Sequence, residues 1–173
     1  MAGTFLCLAG PGFAAPEPAQ RVNGPCINLI PKHELDAVEQ KIDRQPPVQV
    51  EARVASVRRG KPLDESVCDD RGFIVIELVR VDDDRTPREK LGYRITRVEG
   101  TLPAAGMLPS YAVKVIPVPG KPLQFQLEWV DGATDNQEPI DFTLAVTAVD
   151  LAGNESVPSS PIRVSHPGGR PAR

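Results

Sequence analysis

"FTLAVTAVDLAGNES", residues 142–156, decides how the rest of the chain is read. Phe142, Leu144, Val146 and Ala148 recur at every second position, so one side of an extended segment is apolar. Gly153 and Asn154 then tolerate the positive φ that a tight turn needs. A strand with one wet face, followed by such a turn, belongs to an antiparallel sheet.

The same period of two runs through the chain on both sides of this stretch. Val48, Val50, Ala52 and Val54 alternate in residues 48–57. "GFIVIELVRV" (72–81) is almost continuously apolar, as expected of a central strand buried on both faces. Leu91, Tyr93 and Ile95 share one side of 91–98, and Tyr111, Val113 and Val115 share one side of 111–118. In "PLQFQLEWV" (122–130), Leu123, Phe125, Leu127 and Trp129 face in while Gln124, Gln126 and Glu128 face out. "PIRVSH" (161–166) completes seven strands, counting 141–150. Turn residues lie between them, and seven short alternating strands predict an all-β, seven-stranded antiparallel sandwich.

Composition supports that class. The chain has 173 residues, enough for one domain with an extension, and 19 prolines, about twice ordinary usage. Proline breaks helix interiors but is tolerated in turns between short strands. The one helical candidate is "PKHELDAVEQKID" (31–43), where Leu35, Val38 and Ile42 form a narrow apolar stripe. It is expected as one short helix lying on the sandwich, with an extended segment as the alternative. The expected layout is a signal segment at 1–14, an N-terminal extension at 15–47, the sandwich at 48–165 and a disordered tail at 166–173.

The signal reading rests on the apolar run at 4–9 and on small residues before Ala15. It implies export to the periplasm or beyond. Cleavage there would remove Cys7 and leave Cys26 and Cys68, an even pair in an oxidising compartment. A disulfide between them would close a 41-residue segment and contribute about 3–4 kcal/mol by loop entropy. The alternative is two unpaired buried thiols. The net charge is −3 and no basic stripe is present, which disfavours nucleic acid as a partner. No run approaches the ~18 apolar residues of a membrane span.

Residues 142–164 also carry a resemblance. Ala148-Val149-Asp150, then Ala152-Gly153-Asn154-Glu155-Ser156, then Pro158 and Pro161 before Ile162-Arg163-Val164, resemble the C-terminal half of fibronectin type III-like (immunoglobulin-like) domains of bacterial secreted and envelope proteins. Leu144 stands where many such domains have a tyrosine. The resemblance implies strands A to G in order. The B–C loop (82–90) would then meet the F–G loop (150–156) at one end. The A–B loop with Cys68 would meet the E–F loop (131–139) at the other.

Loops on a rigid sandwich commonly carry binding. Asp82, Asp83, Asp84, Asp150, Asn154 and Glu155 are therefore the candidate loop interaction site. Their hard oxygens would suit Ca²⁺. No loop has the fixed spacing of a Ca²⁺ motif, however, so a solvated acidic loop is the plainer reading and no cofactor is assigned. Asp131, Asp135 and Glu138 form a second acidic group of the same kind. His33 and His166 lack an evident nucleophile or carboxylate partner, and no catalytic residues are assigned. The expected function is a non-catalytic interaction or structural module that binds a protein partner of the cell envelope through loops or a sheet edge. Two alternatives are a carbohydrate-binding module using Trp129, Tyr93 and Tyr111, and a small secreted enzyme or inhibitor.

Overall fold

A computed structural model describes residues 30–61, 70–132 and 137–169. The expected signal segment, Cys7, the expected Cys26–Cys68 disulfide, Asp135 and the end of the tail lie outside these residues.

Seven strands form among the described residues: β1 (Glu51–Arg58), β2 (Arg71–Arg80), β3 (Gly92–Gly100), β4 (Val113–Lys114), β5 (Gln124–Val130), β6 (Ile140–Val149) and β7 (Ile162–His166). They make two antiparallel sheets, β1-β2-β5 and β4-β3-β6-β7. The inward residues of both sheets share one core: Ile74, Ile76, Leu127 and Trp129 from the first, and Tyr93, Phe142, Leu144 and Val164 from the second. The alternation read from sequence is the physical basis of this arrangement in β2 and β5, whose inward positions are buried while their outward ones keep contact with water. The single wet face expected of β6 is not found: Ala145, Thr147 and Val149 are buried along with Leu144, Val146 and Ala148, as befits a strand flanked by β3 and β7. No helix among the described residues is long and apolar enough to cross a membrane.

Three further expectations need correction. β2 is central in its sheet, but its burial alternates. Phe73 and Val75 on its outer face are only half-buried and Val79 is exposed. The segment 111–118 alternates in burial at Val113 and Val115, yet only Val113–Lys114 pairs as a strand. Its other side is taken by the extension, with Lys32 bridged to Val113, His33 N–H donating to Ala112 O and Lys114 N–H donating to Pro31 O. Pro117 and Pro119 lack the donors to extend the ladder.

The expected helix over 31–43 shrinks to one turn, α1 (Glu39–Ile42). The strand-like bridge at Lys32 fixes the start of the segment as extended. Asp36 Oδ1 then accepts the N–H groups of Val38 and Glu39, which starts the turn late. Leu35, Val38 and Ile42 are 50%, 64% and 54% exposed, so among the described residues the apolar stripe is left largely uncovered, with only Leu35 lying against Gly153.

β7 is preceded by Pro158 and Pro161, which interrupt its ladder with β6. Two serine hydroxyls fill the gaps. Ser156 Oγ accepts the buried Ala148 N–H and Ser159 Oγ accepts the buried Val146 N–H, both at 3.0 Å. Backbone bonds from Ser156 N to Ala148 O and from Ser159 N to Val146 O complete the same edge.

Candidate functional site

The loops assemble at two ends. At one, the β1–β2 connection meets the β5–β6 connection around Asp131. Its carboxylate accepts Arg59 Nε at 2.7 Å, Arg59 Nη2 at 2.9 Å, Gly60 N–H at 2.7 Å and Trp129 Nε1 at 2.9 Å. Burial works against ionisation of Asp131, yet these donors together hold it below the usual carboxylate range. Asp131 is thus committed to Arg59 and is no free metal ligand. Trp129 is 3% exposed and Tyr93 is fully buried, so two of the three aromatics considered for sugar stacking belong to the core. Tyr111 lies at the margin, its hydroxyl donating to Ile30 O at 3.2 Å.

At the other end, the β2–β3 loop and the β6–β7 turn do come together, and the extension joins them. Asp150 opens the turn after β6. Its Oδ1 accepts Asn154 N–H at 2.8 Å and its Oδ2 accepts Asn154 Nδ2 at 2.7 Å. Gly153, at φ +91°, lets the chain reverse between them. Asp83 Oδ2 accepts the N–H groups of Thr86 and Arg85 at 2.6 and 3.1 Å, folding its own loop. Thr86 Oγ1 in turn accepts Leu151 N–H, tying the two loops. The extension is held by His33, buried, whose Nε2 donates to Asp150 O at 2.9 Å. Asp36 N–H donates to Leu151 O at 2.8 Å.

This packing brings three carboxylates from three separate segments to one point. One oxygen each of Asp43, Asp83 and Asp150 lies within 4.8 Å of the others. Asp43 is 1% exposed and Asp150 0%, while Asp83 is half-buried. Asp43 Oδ2 and Asp83 Oδ1 are buried without any hydrogen-bond partner. Among the described residues no cationic side chain pairs with these three carboxylates. Arg85 feels the charge of Asp43 but donates its hydrogen bond to Glu39 at 3.0 Å. At an effective dielectric constant near 20, two carboxylates this close repel by at least about 3.5 kcal/mol per pair.

Of the six loop residues expected at this end, Asp83 and Asp150 enter the cluster and Asn154 orients Asp150. Asp82 and Asp84 are exposed and outside it. Glu155 is exposed and pairs with Arg94 at 2.8 Å. Asp43 was missed because it lay at the tail of a segment read as helix. Beside the cluster, a groove of about 400 Å³ runs between extension and sandwich, lined by Lys32, His33, Leu35, Lys90, Lys114 and Leu151, among others.

No protein-family model matches this sequence, and no curated protein matches it.

Proposed function

We infer that this chain is a non-catalytic, exported interaction module of a bacterial envelope or cell surface, fibronectin type III-like in fold, which meets a protein partner at its loop end. The observation that carries this reading is the locking of three segments into one polar end. Thr86, His33 and Asp36 hydrogen-bond across the β2–β3 loop, the β6–β7 turn and the extension. A pre-ordered surface loses little entropy on binding, as recognition loops on rigid sandwiches require. Lysines at 32, 90 and 114 flank the adjoining groove, so the end offers both signs of charge.

The strand order supports the family reading. With β1, β2, β3, β5, β6 and β7 as A, B, C, E, F and G, the sheets are A-B-E and C-F-G, as in immunoglobulin-like sandwiches. The short β4 joins the C-F-G sheet here, whereas constant-type immunoglobulin domains keep their fourth strand beside E. A sheet-edge contact is less favoured at β7, whose approach carries Pro158 and Pro161. The carbohydrate alternative is weakened by the burial of Trp129 and Tyr93.

Site-specific photo-crosslinking in the native envelope tests this reading. A crosslinker at Asp84 or Glu155 should yield one discrete protein adduct, and one at Lys121 should not. Adducts equally from all three positions, or from none, would refute loop-end recognition. A reporter fused after residue 47 that stays in the cytoplasm would refute export.

A further inference from the structure

We propose that Asp43, Asp83 and Asp150 form a Ca²⁺ site that fastens the N-terminal extension to the loop end of the sandwich. Two independent observations point to it. The first is geometric: the three oxygens lie within 4.8 Å of one another, which is twice a Ca²⁺–oxygen bond of about 2.4 Å. The second is the orphaned Asp43 Oδ2, on a side chain 99% buried, together with the buried and unpartnered Asp83 Oδ1. Buried carboxylate oxygens are ordinarily satisfied, and a bare one signals a missing ion or donor.

The other oxygens of Asp43 and Asp83 are already hydrogen-bonded. Asp43 Oδ1 accepts Gln45 N–H at 3.0 Å, and Asp83 Oδ2 accepts two backbone N–H groups. Asp150 is held through both oxygens by Asn154. Each carboxylate is therefore oriented by neighbours outside the cluster. One divalent cation at this point would compensate all three carboxylates at once.

The donor set is oxygen alone, which selects a hard cation over zinc or copper. The ligands come from three irregular segments and not from one rigid frame. Ca²⁺ tolerates such a shell of six to eight oxygens, while Mg²⁺ demands a near-ideal octahedron. Asp83 is half-buried, leaving one side for water to complete the coordination. The site goes beyond the partner-binding reading and does not depend on it.

The full chain is stripped with chelator and then titrated calorimetrically with Ca²⁺. One equivalent should bind, and 1 mM free Ca²⁺ should raise Tm by several degrees, reversibly on chelation. Hydrogen exchange in residues 36–46 should slow at least tenfold when Ca²⁺ is added. Asp43→Asn and Asp83→Asn should each abolish the Ca²⁺ response. In chelator they should melt no lower than wild type, because each removes one repelling charge. Should one variant fail to fold, the other and the wild-type exchange data still decide. No heat and no Tm shift up to 1 mM Ca²⁺ would overturn the proposal. So would a Ca²⁺ response that survives Asp43→Asn, or equal stabilisation by Mg²⁺.

Discussion

Asp131→Ala is the most informative single change to the scaffold. The carboxylate takes four donors, and its side chain and that of Arg59 are only 5% and 9% exposed. Truncation leaves a buried guanidinium without its counter-charge and an indole N–H without its acceptor. Breaking a buried pair from one side costs about 3–5 kcal/mol. At roughly 3 °C per kcal/mol for a domain of this size, Tm should fall by about 9–15 °C. Denaturant unfolding of Arg59→Ala, Asp131→Ala and the double variant gives the coupling directly, expected at about 1.5 kcal/mol or more. The pH dependence has a definite sign. The unfolded carboxylate titrates near 3.8 and the folded one lower, so the pair's contribution is complete above about pH 4 and is lost as pH falls through the folded value. The deficit of Asp131→Asn against wild type should therefore be constant from pH 5 to 7 and shrink below pH 4. A deficit for Asp131→Ala under about 1 kcal/mol, or additive single variants, would refute the reasoning.

Three further outcomes are expected. Ser159→Ala strands the buried Val146 amide and should cost about 1–3 kcal/mol, whereas Ser160→Ala, at an exposed position, should stay within about 0.5 kcal/mol by urea unfolding. Gly92→Ala would place a Cβ 2.3 Å from His33 Cγ, so exchange at the His33 and Asp36 amides should accelerate while a global loss of about 1–3 kcal/mol accompanies it. Val38→Lys and Ile42→Lys should each change stability by less than about 0.5 kcal/mol in thermal melts, because both side chains are more than half exposed.

The sandwich was readable because alternation reports burial directly. Phe142 to Ala148 and Phe125 to Trp129 lie inside as their spacing required. The meeting of Asp83 with Asp150 was anticipated only through the resemblance of residues 142–164, which implies that the loops carrying them share one end. Asp43 was not. The spacing of Leu35, Val38 and Ile42 predicts a helix only if something covers the stripe, and among the described residues all three side chains are half exposed or more. What organises that segment is non-local: the Lys32–Val113 bridge and the His33 and Asp36 bonds to the β6–β7 turn. The two serine acceptors in the β6–β7 connection, Ser156 and Ser159, were equally hidden. Their role depends on where prolines interrupt a ladder whose register only the folded chain reveals.

The attachment of the extension also has a mechanical meaning. Its links to the sandwich are spread along the chain, from Lys32 at β4 through His33 and Asp36 to Gln45, whose C=O accepts Asn154 Nδ2, and then Val48, whose N–H donates to Asp82 O. Tension applied at residue 30 would load these fasteners in succession and not all together. Residues 30 to 50 would then straighten to at most about 65 Å, at ~3.3 Å per residue, before the first sheet felt the pull. The extension would thus yield before the sandwich does, and a cation held at Asp43, Asp83 and Asp150 would stiffen it.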